Sequence, residues 1–575
     1  AVVRLTYRSP DGERRAGVRS DYYNFRFPRG GLYGELALWE IVAYDILLSA
    51  GTLSHEDQVA IEANLFWSVY ENSKRWMGEF IYRGQAQMGT ASTLLGATLD
   101  DEPMLQEAEE TMLRYGNWQV LADGGHNEKI SSYGGGWIVL VDLALYLREI
   151  GRPMLFEQFR ERIREACKSF IRGTFSNGSL LRQGDGGIQR SFHILGMHRF
   201  FKLGQELFPE DPEFAEICEY SEVLEKRLQA KWDHRPPEEW PEFPDRLLRK
   251  SDLFPDSGWC VLRSAPGQDR MEASLDWSAF GDHGHPDKLH MNLFAFDEVM
   301  NEDLSYGWYP QTRKGQGYAM RSISHSLVVS NMRCQLSGAK ANLHIFDHQD
   351  DVQVAWADAG RCYEGGVRAN RCLVLLGDIL VDFFHISGGK TRTFDWMFHC
   401  HGTPELPDGF AGRGPLAEHA RPGEKVSDAP GYEFLENLKE SHPETPMRLG
   451  LHLTGYPHMP WNGAEKRWLD YELGHLWLTF PQIEDTTYVV GDAPFPMPEA
   501  ESDRRFLMAR RQTRATCFAT VFQSCTDERQ PSRVRSLSVL LRDSELASYQ
   551  AAAVEVVSDG RIITVLQRHV PGPLS

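Results

Sequence analysis

The sequence predicts a helical N-terminal part followed by an antiparallel β-sandwich. Three observations carry this reading. Apolar residues recur with a helical period from about Gly34 to Ala230. A Pro-rich, charged stretch then interrupts the pattern, and beyond it the period becomes two.

Each element follows from its own residues. In GELALWEIVAYDILLSAG, Trp39, Val42, Ala43, Ile46, Leu47 and Ala50 fall on one stripe, and Gly51 is placed to end the helix. Ser54 with Asp57 reads as a capping box that opens the next helix through Phe66, Trp67 and Val69. Further helices are expected near 87–98, 104–116, 136–150, 155–171, 190–206 and 212–230, and their short connections imply antiparallel hairpins. A bundle, a solenoid and a toroid all fit this pattern, and no internal repeat is apparent.

HRPPEEWPEFPDRLLRKSDLFPDSG reads as a linker. Strands are expected at 259–264, 271–278, 325–331, 352–359, 371–387, from Gly450, and at 475–480, 514–524 and 554–567. Asp559–Gly560 lies between two alternating runs as a two-residue hairpin turn. Residues 403–447, rich in Pro, Gly and Glu, read as a long loop or insertion. Many short strands with few helices point to a sandwich.

Composition narrows the function. The chain has 575 residues with a net charge of −20, which argues against nucleic acid as the main partner. An acidic glycan stays compatible, because a cleft can be locally cationic on an acidic molecule. The nine cysteines form no CxxC pair and are expected as buried, reduced thiols. No apolar run is long enough to span a membrane, so no membrane partner is expected. The first residue is Ala1 rather than Met, so a periplasmic or secreted protein with a trimmed leader and a cytoplasmic protein are both open. Oligomeric state is not legible.

The densest chemistry lies between Asp282 and Tyr309. His283, His285, Asp287 and His290 sit close together, Asp303 follows His285 by 18 positions, and His325 follows Asp303 by 22. Two imidazoles and a carboxylate from separate segments suit a tetrahedral divalent ion, zinc first and manganese or calcium next. The same residues also fit a polar loop with strand-capping side chains.

These segments resemble the heparinase II/III-like polysaccharide lyases. Members of that group show H-x-H-x-D, then D-x-x-x-[YG], then a Ser/Thr-x-x-His-Asn strand. Here these are His283-Gly284-His285-Pro286-Asp287, Asp303 to Gly307, and Ser322 to Ser326, with Ser326 in the place of Asn. The helical half contains ADGGHNEKISSYGGGW, similar to the family's D-G-x-x-x-E-x-S-x-x-Y at Asp123, Gly124, Glu128 and Tyr133, with Ser131 one place beyond the motif's serine.

The resemblance implies an N-terminal (α/α) toroid, an incomplete barrel of helical hairpins, over 1–252, and a β-sandwich over 253–575. It implies a mainly structural metal at His285, Asp303 and His325. It also implies β-elimination on an acidic, uronate-containing glycan, glycosaminoglycan-like or alginate-like. Tyr133 is then the proton-transfer residue and His283 faces the substrate. The family's Asn-His pair is replaced near Gln85, Gln87 and Met88, so Gln87 is expected to take over the Asn. Tyr309 and Tyr318 are second candidates for proton transfer, and Arg83, Gln85, His126, Asn127, Glu128, His193, Tyr318 and His399 for substrate contact. Two other readings remain open. A glycoside hydrolase needs paired carboxylates, for which Asp123, Glu128 and Asp185 are present. A non-catalytic glycan-binding protein needs no proton carrier.

Overall fold

A computed structural model describes residues 33–569, apart from 67–69, 71–82, 128–135, 182, 185–191, 234, 243–249, 266–269, 280–283, 302, 305–311, 313, 337, 339, 350, 418–430, 459–466, 497–503, 527–530, 542–543 and 559. Within some helices and strands only the backbone is described, including 33–40, 83–88, 136–139 and 192–197. The chain forms two compact units. One comprises Ala1–Asn127 with Tyr133–Cys167, and the other Glu128–Ser132 with Lys168–Ser575.

The first unit is helical: α1 (Tyr33–Ser49), α2 (His55–Ile61, continued by a π turn at Glu62–Phe66), α3 (Arg83–Leu99), α4 (Glu102–Gln119), α5 (Gly136–Glu149) and most of α6 (Met154–Arg172). The expected signals act where they were read. Gly51 adopts φ +66° and ends α1, with Thr52 N donating to Leu47 O at 3.1 Å. Ser54 accepts from Asp57 N at 3.1 Å and caps α2.

The buried face of α1 differs from the expected stripe. Ile41 and Tyr44 enter the core beside Ile61, Phe66, Ala91, Leu95 and Met104, while Val42, Ala43, Ile46 and Ala50 are exposed. The helix carries apolar residues all round, so periodicity could not choose its face. Tyr44 decides it by donating to the Glu62 carboxylate and packing edge-on against Phe66. Further on, Gly116 lets α4 meet α6, because a Cβ there would stand 2.5 Å from the Phe159 ring.

The second unit opens with the helical pair α7 (Phe192–Leu207) and α8 (Glu213–Trp232). A five-stranded antiparallel meander follows: β1 (Asp252–Phe254), β2 (Trp259–Arg263), β3 (Met271–Asp276), β4 (Met291–Ala295) and β5 (Glu298–Val299). The first of these lies inside the stretch read as a linker. A second sheet holds β6 (Val328–Ser330), β7 (Leu343–Gln349), β8 (Val352–Asp358), β9 (Arg368–Leu376), β10 (Ile379–Cys400), β11 (Thr403–Glu405), β12 (Ala411–Gly412), β13 (Glu436–Ser441), β14 (Met447–His458), β15 (Arg467–Phe480), β16 (Thr487–Asp492) and β17 (Arg505–Cys525). The chain ends in β18 (Arg533–Leu537), the short pair β19 (Leu540–Leu541) and β20 (Ser544–Glu545), and the hairpin β21 (Ala551–Ser558) and β22 (Arg561–Arg568). Ser558 faces Arg561 across that hairpin, which is the two-residue turn expected from the sequence.

Three strands, β11 to β13, also interrupt the expected 403–447 loop. Leu438 of β13 and the neighbouring Tyr432 are buried, and Tyr432 donates to Asp395 at 2.5 Å. The sequence ENLKES does not alternate, so β13 carries no readable period.

The pair β10–β17 organises the sandwich. It runs from Ile379 opposite Gln523 to Cys400 opposite Arg505, with a register shift between Ser387 and Arg392. Before the shift β10 also pairs with β9, and after it with β6. A bulge in one long strand thus lets it serve two arrays of partners. Alternation along β10 buries both faces. Leu380, Phe384 and Ile386 join the main core, whereas Ile379, Val381 and Phe383 form an outer cluster covered by Ala552, Val554 and Val556 of β21. This explains the nearly continuous apolar run at 371–387. All nine cysteines are free thiols, eight of them buried. Among the described residues, no helix is long and apolar enough to cross a membrane.

The structure also reveals a local repeat that the sequence hid. After α4, Leu121 N donates to Gly125 O, Gly124 N to Leu121 O and Gly125 N to the Asp123 side chain, closing a bridge between Val120 and His126. After α6, Phe175 N donates to Ser179 O, Gly178 N to Phe175 O and Ser179 N to the Asn177 side chain, closing a bridge between Thr174 and Leu180. Gly124 and Gly178 have φ of +79° and +81°. The two turns share only an Asp/Asn-Gly dipeptide, too little for a sequence repeat to show.

One pH dependence follows from the outer face. The His385 and His569 rings stack with centroids 4.1 Å apart, and Asn370 donates to His385 Nδ1 at 3.1 Å. Burial pushes His385 down to about 4, and burial together with His385 pushes His569 down to about 3. The fold therefore favours both neutral rings. Their contribution is complete above about 6.5, the ordinary histidine value, and is lost as pH falls from there toward 4. Melting temperature should fall over that window, and the fall should be shallower in His569→Gln. An unchanged slope in that variant would remove the pair from the acid response.

Candidate metal centre

Three chain segments meet inside the second unit. The first, His285 to His290, leads into β4 through a tight turn in which His290 N donates to Asp287 O at 2.8 Å. Leu289 within it adopts φ +65°, a conformation that costs a branched side chain energy. The second segment carries Asp303 just past β5. Asn301 secures it by donating to Met291 O and accepting from Leu293 N. The third is a 3₁₀ turn, Ser322–Ser324, with His325 as its C-cap. His325 therefore precedes β6 rather than opening it, because the turn uses its backbone.

His285, Asp303 and His325 converge as the sequence implied, with one ligand atom from each lying within 4.8 Å of the others. His285 Nδ1 stands 3.0 Å and His325 Nε2 3.4 Å from Asp303 Oδ1. All three side chains are fully buried. Burial raises the Asp303 carboxyl, but the His285 and His325 imidazoles outweigh it and hold the group well below the usual carboxylate range. His325 Nδ1 lies 2.8 Å from Arg321 O, which places a proton on that nitrogen and turns Nε2 toward Asp303. That Nε2 has no hydrogen-bond partner. Two nitrogens and a carboxylate oxygen, with one imidazole already oriented by a carbonyl, fit a tetrahedral divalent ion with one position open.

His290, the fourth member of the cluster read from the sequence, is an interior residue. It is buried, its Nδ1 accepts from Ser326 N at 3.0 Å, and its ring meets His325 edge-on at 5.4 Å. Burial pushes it down to about 3. Ser326 is a junction as well. Its hydroxyl accepts from Asn301 Nδ2 at 2.9 Å and from His399 N at 3.4 Å, while its carbonyl receives Arg371.

Two expected substrate contacts are interior. Tyr318 and His399 are fully buried and bonded to each other, Oη to Nε2, at 3.1 Å. Burial raises the Tyr318 hydroxyl to about 12, despite the nearby Arg504. Neither offers surface to a glycan, and Tyr318 is poorly suited to shuttle a proton. His126 is also buried, with Nε2 3.2 Å from Tyr115 Oη, in the bridge that closes the Asp123-Gly124 turn. Asn127 lies beside it, half-buried, with its backbone N bound to Gln119 O. Asp123 uses its carboxylate to accept Gly125 N in the same turn. Tyr133, Glu128, His283 and Tyr309 lie outside the described residues, as do the side chains of Arg83, Gln85, Gln87 and His193.

The sequence reading missed Arg371 and Asp382. Both are charged residues on the inward face of otherwise apolar strands, and that mismatch was visible in RCLVLLGDILVDFF.

No protein-family model matches the chain, and no curated protein matches it in sequence. Solved structures do match in fold. Heparan sulfate lyase HepC from Pedobacter heparinus aligns over 97% of this chain and 77% of its own, with TM-score 0.63 and 12% identity. A heparinase III gene product aligns over 95% of this chain and 75% of its own, with TM-score 0.64 and 11% identity. A further heparinase III aligns over 92% and 74%, with TM-score 0.61 and 13% identity. At such identities the likeness is one of fold. This chain has the heparinase III architecture, a helical toroid followed by an antiparallel β-sandwich.

His290→Ala should destabilise the second unit by about 1–3 kcal/mol, because the Ser326 N–H stays buried without an acceptor. Denaturant unfolding checks this, and a variant as stable as the parent would show that the bond contributes little.

Proposed function

We propose that this chain is a polysaccharide lyase, a carbon–oxygen lyase that cleaves a uronate-containing glycan by β-elimination. The observation that carries the reading is the convergence of His285, Asp303 and His325. Residues singled out by a lyase motif meet in the interior of a chain with the heparinase III fold. Since one structural neighbour is a heparan sulfate lyase, glycosaminoglycans head the substrates to test, followed by alginate.

The chemistry sets three requirements. The C5 proton of a uronate is only weakly acidic while its carboxylate is charged. Neutralising that carboxylate, removing the proton and protonating the leaving oxygen at C4 must all be supplied. In this reading His283 and Gln87 donate to the carboxylate, assisted by Arg83. Tyr133 accepts the C5 proton and returns it to O4, with Tyr309 as the second candidate. His285, Asp303 and His325 would hold a divalent ion, zinc by its donor set. Bound there, the ion would lock together the segments that lead to His283.

An ultraviolet screen over heparan sulfate, heparin, chondroitin sulfate, hyaluronan and alginate tests the reading. An unsaturated uronate product is expected on at least one. New reducing ends without ultraviolet absorbance would instead mean a hydrolase, and binding without product a glycan-binding protein. Tyr133→Phe should keep its fold by circular dichroism and lose turnover by about a hundredfold or more, the scale of general acid–base catalysis. Full activity in that variant would move the proton to Tyr309. Elemental analysis should find a divalent ion, and chelation should lower the melting temperature, because an ion bound only by the folded chain stabilises it.

A further inference from the structure

We propose that Arg371 is the positioning residue of the metal centre, holding its two histidine-bearing segments in register. The inference rests on the reading that His285, Asp303 and His325 bind a divalent ion. Arg371 lies on β9, fully buried and opposite Phe384 in register. Its Nε and Nη2 form a two-armed bond to Asp382 on β10, at 2.8 and 2.7 Å. Trp396 Nε1 donates to the same carboxylate at 3.2 Å. The guanidinium therefore has a fixed plane and a fixed position.

Its remaining nitrogen points at the metal-binding segments. Nη1 donates to Leu289 O at 2.7 Å and to Ser326 O at 2.6 Å. Leu289 lies in the turn that follows His285, and Ser326 directly follows His325. One nitrogen with two hydrogens thus joins two segments distant in sequence, each beside a candidate ligand. It also holds Leu289 in its strained left-handed conformation, together with the bond from Leu289 N to Asp276 O at 2.6 Å. A lysine at this position keeps the charge but cannot reach both carbonyls and both carboxylate oxygens in one plane. Loosening the clamp lets the two imidazoles separate, and the readout is affinity for the metal.

The test uses the full chain, stripped by chelation and titrated with zinc against a chromophoric competitor. Arg371→Lys should weaken zinc binding about tenfold or more, the scale for residues supporting metal ligands. Asp382→Asn should weaken it in the same direction, and it secures the test if the lysine variant fails to fold. Arg511→Lys is the control. Arg511 is equally interior and bonds Glu484, Thr486 and Thr516, none of them in the metal-bearing segments. It should lower the melting temperature of the metal-free chain while leaving zinc affinity within about twofold, as expected for a site with no shared partners. Parental zinc affinity in folded Arg371→Lys or Asp382→Asn, or equal weakening in Arg511→Lys, would overturn the positioning role alone. A parent chain that binds no zinc would overturn the metal reading and this inference with it.

Discussion

A carboxylate taken out of water must find compensation, and the sandwich core buries two that shape the candidate site. Asp382 is compensated by the Arg371 guanidinium through a two-armed bond. Asp303 is compensated by two imidazoles. Removing one partner of such a group leaves an uncompensated charge in a low-dielectric interior, which costs several kcal/mol, about 3–5 in comparable buried pairs. Apolar packing alone tolerates small slips, whereas buried charges accept only a narrow geometry. The arrangement of segments around Leu289, Asn301 and Ser326 follows from satisfying both.

The two compensations are also linked. Arg371 is anchored by Asp382 and spends its last nitrogen on carbonyls next to the Asp303 partners. Ser326 meets the same network through its amide, hydroxyl and carbonyl. The resemblance places an Asn at this position in the family. Here the serine hydroxyl accepts from Asn301 Nδ2 at 2.9 Å.

Much of the fold was legible because period is a direct consequence of burial on one face. The helices after Arg83 and the longer strands appear close to where their periods placed them. The face of α1 was not legible because it is apolar all round and Tyr44 chose its side through a polar contact. Strand β13 was hidden because its residues do not alternate. At the site, the approach of His285, Asp303 and His325 to one another was readable from the resemblance. His290 was visible in the cluster but its interior position was not, since sequence does not show burial. Arg371 was passed over because a charge in an apolar run was read as ordinary strand.

The repeated turn separates structure from chemistry within the motif of the helical half. Asp123-Gly124 and Asn177-Gly178 make the same hydrogen bonds after α4 and α6, so an acidic or amide side chain followed by glycine is what the turn itself requires. At Gly124 a Cβ would stand 2.4 Å from the Glu165 backbone, which excludes any other residue. In sequence, the positions of Glu128, Ser131 and Tyr133 are occupied after the second turn by Arg182, Asp185 and Gly187. The turn therefore forms without a glutamate, a serine or a tyrosine at those places. The geometry of the turn accounts for the first two residues of the motif and makes no use of a glutamate, serine or tyrosine at the places of Glu128, Ser131 and Tyr133.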